Sequence, residues 1–212
     1  VPSWVVSLLE SGIEPPSVNR KIACLRTFYK FLMKQELIKK DPMAKISVLK
    51  MKKRLPAFVK EDDMVNLLDN HTFENTFEGQ RDRLILEMFY GTGIRLSELL
   101  NLKEKSIDLR NRTIKVLGKR NKERIIPFAS GLVLIIKCYL AIRNREVEMK
   151  THGNLFVRAN GEPCYPMLIY KIVRNYLTRF SGVDKRSPHV LRHTYATHLL
   201  NKGADLNSVK GL

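Results

Sequence analysis

The sequence predicts a mainly α-helical protein with one small antiparallel β-sheet, an α+β arrangement divided into two domains. Apolar residues recur at helical spacing along most of the chain, and a single pair of β-branched runs is placed to form a hairpin. A basic stretch that contains a proline, "LKMKKRLPAF" from Leu49 to Phe58, separates two such regions. The length of 212 residues accommodates one large domain or two smaller ones.

The first predicted domain, residues 1–50, contains a long amphipathic helix from Ser17 to Leu37. Its apolar residues share one face at helical spacing, and Ser17 is placed to cap the start of the helix. The members of that face are Ile22, Leu25, Phe28, Tyr29, Leu32 and Met33. Residues 51–57 are predicted to form a basic linker to the second domain, residues 58–212.

The second predicted domain is mostly helical and contains the hairpin. Helical patterns cover Lys60–Asn70, Arg81–Tyr90, the stretch "IRLSELLNL" from Ile94, Gly131–Arg145, Pro166–Ser181 and Pro188–Lys202. Gly91, Thr92 and Gly93 are predicted to break the second of these helices. The hairpin strands are Thr113–Leu117 and Arg124–Phe128, and its tip is the polar turn Gly118–Glu123.

The net charge of +17, from 38 basic and 21 acidic side chains, favours a polyanionic partner such as nucleic acid. The alternatives are a ribosome-associated protein or a protein that is merely basic. Basic residues of the first helix and of the linker are candidate contacts to the DNA backbone, although a solvated helix face would explain those of the helix equally well. These candidates are Arg26, Lys30, Lys34, Lys52, Lys53 and Arg54.

The three cysteines indicate neither a disulfide framework nor a zinc site. Cys24, Cys138 and Cys164 are widely spaced and lack CxxC or Cys/His ligand spacing. Reduced thiols of a cytoplasmic protein explain them. No apolar run approaches the roughly 20 residues of a membrane span, and no signal peptide opens the chain. We therefore expect a soluble protein with no membrane partner.

The stretch "SPHVLRHTYATHLL" from Ser187 to Leu200 concentrates basic side chains at the start of a helix. Ser187 followed by Pro188 predicts a capped helix start, so His189 and Arg192 fall in the first turn. The unpaired N–H groups of that turn attract phosphate oxygens. Tyr195 shares the stripe of Leu191 and Leu199 and is therefore interpreted as packing, while His193 faces the same sector as His189.

Two further side chains could complete a phosphate site with His189 and Arg192. Arg95 in "GTGIRLSELL" follows a glycine break and begins a helix, where Glu98 one turn later could orient it. A second guanidinium would let the site hold both non-bridging oxygens of one phosphate. Lys119 lies at the hairpin tip, where a flexible amine could reach a leaving oxygen. A solvated turn lysine or a DNA-backbone contact is the alternative for Lys119.

Taken together, "TGIRLSEL", "GKRNKERIIP" and "HVLRHTYATHLL" occur in the order seen in the tyrosine recombinase (phage integrase) family, and the chain resembles its Xer-type members. The resemblance implies a two-domain DNA clamp that forms a 3′-phosphotyrosyl link and a free 5′-hydroxyl without metal or nucleotide cofactor. It implies that Arg95 and Arg192 hold the scissile phosphate, that His189 hydrogen-bonds or shuttles a proton, and that Lys119 protonates the departing 5′ oxygen.

Two departures from the family pattern affect the expected activity. Arg120 stands where the hairpin often has glycine and could add a phosphate contact. The second histidine and the nucleophilic tyrosine of the pattern are expected beyond residue 212, so these 212 residues are expected to bind DNA without cleaving it. The open alternatives are a site-specific recombinase, serving integration and excision or chromosome-dimer resolution, and a non-catalytic DNA-binding regulator. A type IB topoisomerase fits the motifs less well. A homo- or hetero-tetramer on two DNA sites is the expected assembly, with a monomer when free.

Overall fold

The computed structural model describes residues 3–51, 57–118, 123–148 and 152–205. The chain separates into two compact units, Val1–Leu55 and Pro56–Leu212, so the division falls within the predicted linker. Lys52, Lys53 and Arg54 lie outside the described residues. No helix in the described ranges is long and apolar enough to cross a membrane.

The first unit is built on two helices, α1 (Ser3–Glu10) and α2 (Pro15–Lys34). They enclose a small core of Val5, Val18, Ile22 and Met43. The segment that follows α2 is held against it by Asn19, whose side-chain amide donates to the Leu49 carbonyl at 3.0 Å and accepts from the Leu49 N–H at 2.9 Å. The sequence analysis missed α1.

The predictions for α2 need three corrections. The helix begins at Pro15, because two consecutive prolines suit the first helical positions, and Ser17 therefore lies inside the first turn instead of capping it. It ends at Lys34, before Leu37, since Glu36 takes a left-handed φ of 58°. Phe28 and Met33 are 51% and 39% exposed, so they do not share the buried face of Ile22.

In the second unit, α4 is the central helix. The helices of this unit are α3 (Glu61–Val65), α4 (Phe77–Thr92), α5 (Leu96–Leu100), α6 (Ser130–Glu146), α7 (Pro166–Phe180) and α8 (Pro188–Asn201). A π-helical turn, Asn66–Asn70, extends α3. Apolar side chains cover most of α4, including Leu84, Ile85 and Phe89, because α6, α7 and α8 all pack against it. The mainly helical prediction is confirmed.

A three-stranded antiparallel sheet stands beside the helices, in the order β1 (Ile107–Asp108), β2 (Thr113–Leu117), β3 (Glu123–Pro127). The predicted hairpin corresponds to β2 and β3, and the sequence analysis missed β1. Residues 119–122 of the hairpin tip lie outside the described residues, so Lys119 and Arg120 do as well. Val116 pairs with Arg124 and Ile114 with Ile126, which places these side chains on one face of the sheet.

Helix α8 starts where the Ser187-Pro188 pair predicts, but the Ser187 hydroxyl does not cap it. The backbone carbonyl of Ser187 instead accepts from the Val190 N–H at 2.9 Å. Leu191 is fully buried, while Tyr195 is only half-buried, so the packing predicted for this tyrosine is partial. The Thr194 hydroxyl accepts from the Val59 N–H at 2.9 Å, which ties α8 to the start of the unit.

Candidate functional site

A buried carboxylate, that of Glu98, organises the candidate site. Glu98 lies in the first turn of α5, and its side chain is only 2% exposed. Its Oε2 accepts from the backbone N–H of Arg95 at 2.8 Å, which satisfies one of the free N–H groups at the start of the helix. Its Oε1 accepts from Nη1 of Arg95, also at 2.8 Å. The predicted contact between Glu98 and Arg95 is therefore present.

A second arginine, Arg124 of β3, reaches the same carboxylate. Its Nη2 lies 2.8 Å from Glu98 Oε2, and its side chain is 20% exposed. The sequence analysis did not select Arg124. One signal was available, because Arg124 alternates in phase with the buried residues Ile126 and Phe128. An arginine at an inward position of a strand calls for a buried anion, since a charge without a partner is costly to bury.

The third arginine, Arg192, is the fifth residue of α8. Its Nη1 donates to the backbone carbonyl of Gly93, whose left-handed φ of 59° ends α4 just before Arg95. Burial, followed by the positive charges of Arg95 and Arg124, lowers the pKa of Arg192 to about 10, although the negative charge of Glu98 opposes this shift. The bond to Gly93 places the Arg192 guanidinium beside the residues that precede Arg95, and Arg192 stays protonated at neutral pH.

This arginine cluster, defined as Arg95, Arg124 and Arg192 around Glu98, carries three positive charges against one negative charge. Arg95 is 37% exposed, so the cluster can be reached from solvent. Each guanidinium has five N–H groups in a planar fork that matches the oxygens of a phosphate. The arrangement therefore suits a phosphodiester oxygen pair better than it suits a neutral ligand.

The remaining candidates differ in how the structure places them. His189 is exposed and precedes Arg192 by three residues in α8, so both side chains lie on the same side of the helix. His193 is also exposed. Lys119 stays a prediction, since the described residues do not include it. The structure thus brings Arg95 and Arg192 together, with His189 beside Arg192.

His198 has a structural setting at the far end of α8. It is 7% exposed, and its Nδ1 lies 3.0 Å from the hydroxyl of Tyr90. The ring of Phe58 meets it edge-on, with 6.4 Å between the ring centroids. These contacts give His198 a structural role, and it does not contribute to the arginine cluster.

The basic residues of α2 have unequal surroundings. Lys30 and Lys34 are exposed, as backbone contacts to DNA require. The guanidinium of Arg26 donates to the backbone carbonyl of Ile46, so part of this side chain serves the fold of the first unit. Among the described residues, no group of three or more His, Cys, Asp or Glu side chains could hold a metal ion.

Comparison with known proteins places these features in a family context. The model of the phage integrase family matches residues 57–212. The chain is 36% identical to the tyrosine recombinase XerC of Chlorobaculum parvum over 222 residues, covering 95% of this chain and 66% of that protein. It is 40% identical to the tyrosine recombinase XerC of Staphylococcus carnosus over 210 residues, covering 99% and 70%. The chain thus spans about two thirds of the length of these relatives.

Solved structures share the fold. The XerH site-specific recombinase bound to palindromic difH substrate in a post-cleavage complex superimposes with a TM-score of 0.79 at 25% identity, over 96% of this chain and 62% of that one. The XerA recombinase gives a TM-score of 0.64 at 25% identity, over 96% and 68%. The Tn1549 transposon integrase with transposon right end DNA gives 0.78 at 20% identity, over 98% and 74%, a likeness of fold alone.

Proposed function

Because this chain belongs to the phage integrase family, we propose that it forms the DNA-binding and phosphate-holding part of a site-specific DNA recombinase. The nucleophilic tyrosine of the family is placed by this proposal after Leu212. We call the chain together with the residues encoded after Leu212 the extended protein. The ligand is double-stranded DNA, in keeping with the net charge of +17.

The observation that carries the proposal is the arginine cluster around Glu98. Negative charge grows on the non-bridging oxygens of a phosphodiester as a nucleophile attacks it. Guanidinium groups that are already fixed in place stabilise that charge more strongly than they stabilise the substrate. Arg95 is fixed by its ion pair with Glu98, and Arg192 by its bond to Gly93. Both are assigned to the two non-bridging oxygens of the scissile phosphate.

The proposed reaction exchanges one phosphodiester bond for another. The oxygen of the tyrosine attacks phosphorus, the bond from phosphorus to the 5′ oxygen breaks, and a 3′-phosphotyrosyl link remains. The phenolic proton leaves with the help of a base, and the 5′ oxygen takes a proton from Lys119 to become a hydroxyl. His189 lies beside Arg192 on α8. It is assigned a hydrogen bond to the phosphate or a part in proton transfer.

The comparisons support this assignment without fixing the biological role. Relatives named tyrosine recombinase XerC are 36% and 40% identical to the chain. The XerH structure with a TM-score of 0.79 is a post-cleavage complex with difH DNA. The same kind of active site serves the integration and excision of a mobile element and the resolution of chromosome dimers. Assembly of four recombinase protomers on two DNA sites is part of the proposal.

A trapped covalent intermediate tests the proposal. The extended protein is incubated with a duplex that carries its target site, selected from a random library, and a nick next to the scissile phosphate. Because the short nicked fragment diffuses away after cleavage, religation is prevented. We expect a protein–DNA adduct that survives denaturing gel electrophoresis and a free 5′-hydroxyl on the released fragment. Binding of the site without any adduct would contradict the proposal and favour the non-catalytic regulator.

A further inference from the structure

We propose that Arg124 is a positioning residue of the phosphate site, which holds the Glu98 carboxylate so that the Arg95 guanidinium stays available to the phosphate. This inference rests on the proposed function and deepens it. It concerns a residue of β3 that lies within the stretch "GKRNKERIIP" but has no role in the sequence-based predictions. It starts from the three hydrogen bonds that Glu98 accepts.

The buried Glu98 carboxylate needs hydrogen-bond donors for both of its oxygens. Glu98 Oε2 accepts from the Arg95 backbone N–H and from Arg124 Nη2, and Oε1 accepts from Arg95 Nη1, all at 2.8 Å. With 2% of its side chain exposed, Glu98 has little access to water that could replace a lost donor. If Arg124 is removed, the Arg95 guanidinium, which already binds Oε1, is a charged donor still in contact with the carboxylate.

Without Arg124, the Arg95 guanidinium would lose access to a phosphate. Its guanidinium now contributes Nη1 to Glu98 and is 37% exposed. A shift toward both oxygens of Glu98 would give a bidentate pair, which is the geometry that arginine and carboxylate favour. That pair would turn further N–H groups of Arg95 away from solvent and therefore away from a phosphate. Arg124 thus leaves N–H groups of Arg95 available to a phosphate, because they are not all directed at the Glu98 carboxylate.

Arg124 is held in place by the sheet. It stands opposite Val116 in the paired strands β2 and β3, on the inner face that also carries Ile114 and Ile126. The strand pairing therefore sets the position of its backbone. Its positive charge also reaches Arg192, whose pKa it lowers. Arg124 therefore contributes both geometry and charge at one site.

The test compares variants of the extended protein on two nicked substrates. One has an ordinary scissile phosphodiester, and the other has a methylphosphonate there, which lacks the negative charge that the guanidinium groups stabilise. Arg124→Gln is the main variant, and Arg124→Lys keeps the charge without the planar fork. Lys115→Gln is the matched control, because it also removes one positive charge and one ion pair, that with Glu123, from the exposed face of the same hairpin.

On the phosphodiester, we expect Arg124→Gln to slow adduct formation by about 10- to 100-fold, somewhat less than the loss of a direct donor to the reacting oxygens. The dissociation constant for DNA should stay within about twofold, since uniform binding is not what the residue supplies. On the methylphosphonate, the rate of adduct formation by wild type should exceed that by Arg124→Gln by less than about threefold. Arg124→Lys should show a smaller loss, and Lys115→Gln should match wild type.

The opposing outcomes are distinct. Equal losses on both substrates would mean that Arg124 supports only the fold, and wild-type rates in Arg124→Gln would mean that it does nothing at the site. Either result overturns the inference while the proposed function stands. If Arg124→Gln does not fold, the same comparison of substrates with Arg124→Lys decides the question. Failure of the wild-type extended protein to cleave the phosphodiester would contradict the proposed function, and the inference with it.

Discussion

Arg192 of α8 donates a hydrogen bond from its guanidinium to the backbone carbonyl of Gly93, the residue at which α4 ends. This bond joins two parts of the chain that are 99 residues apart in sequence. It places Arg192 next to the corner from which α5 and Arg95 begin. The left-handed turn at Gly93 and helix α8, which starts with Ser187-Pro188, therefore meet at one site.

Replacing Arg192 should abolish most cleavage while leaving DNA binding nearly intact. In the extended protein, Arg192→Ala removes one of the groups assigned to the developing negative charge. We expect a loss of about 3 to 4 kcal/mol in the activation free energy of adduct formation. Single-turnover rates on the nicked duplex measure it. Arg145→Ala, at the exposed end of α6 and paired with Glu146, removes the same charge elsewhere and should keep the wild-type rate. Equal rates in the two variants would refute the role of Arg192.

Replacing Glu98 should destabilise the second unit in a pH-dependent manner. Burial raises the pKa of Glu98, but the hydrogen bonds from the Arg95 backbone, Arg124 and the Arg95 side chain lower it more, to a net value below the ordinary 4.5. The ionised form is therefore favoured by folding. Its contribution is complete well above pH 4.5 and is lost as the pH falls through the lowered pKa.

For Glu98→Gln we expect a loss of about 3 kcal/mol in the free energy of unfolding at neutral pH. This gap should narrow as the pH falls below 4.5, because wild-type Glu98 then becomes protonated. Denaturant titrations followed by far-ultraviolet circular dichroism at several pH values measure it. The control Glu123→Gln breaks an exposed ion pair and should cost less than about 1 kcal/mol. A gap that does not change with pH would argue against the ion-pair explanation.

Replacing Glu87 should have the opposite sign. Burial raises the pKa of this α4 residue from 4.5 to about 7, Arg83 lowers it, and Asp69 raises it. Folding therefore favours the protonated form, and the carboxylate reduces stability as the pH rises from 4.5 through 7. Glu87→Gln should be more stable than wild type at pH 8, by about 2 to 3 kcal/mol, and equal to it well below pH 4.5.

Unfolding of the 212-residue chain at both pH values measures the effect of Glu87→Gln. Glu78→Gln, an exposed substitution on the same helix, should change the unfolding free energy by less than about 0.5 kcal/mol at either pH. A Glu87→Gln protein that is less stable than wild type at pH 8 would show that Glu87 has a stabilising partner when ionised.

The basic residues of α2 should divide into two classes. Each of Lys30→Ala and Lys34→Ala should reduce the log–log salt slope of DNA affinity by about 0.9, because each removes one of the proposed phosphate contacts. Arg26→Ala should instead lower the stability of the first unit by about 1 kcal/mol, through loss of its bond to Ile46. Fluorescence of Trp4, the single tryptophan, follows unfolding of this unit. A change of slope with unchanged stability in Arg26→Ala would contradict the division.

Local signals were sufficient for much of the fold. The Ser-Pro start of α8 and the β-branched runs of the hairpin depend on neighbouring residues, and the structure places both where the sequence predicts. The contact of Arg95 with Glu98, three residues apart, is equally local. The capping role predicted for Ser17 is wrong because Pro15 and Pro16 begin the helix before it.

The partners of the side chains that complete the site depend on tertiary structure. Arg124 meets Glu98 across 26 residues, and only the strand pairing turns its side chain toward α5. Tyr195 shares a helical stripe with Leu191, but its burial depends on which elements pack against that part of α8, and it is only half-buried. Periodicity identifies a face of a helix and leaves open what covers that face.

A structure of the extended protein bound to its target duplex tests the central claim most directly. The proposed function predicts that guanidinium nitrogens of Arg95 and Arg192 lie within about 3 Å of the two non-bridging oxygens of one phosphate, the distance of a charge-assisted hydrogen bond. That phosphate should be the one at which the strand is cut. DNA bound on another surface, with the arginine cluster open to solvent, would contradict the claim.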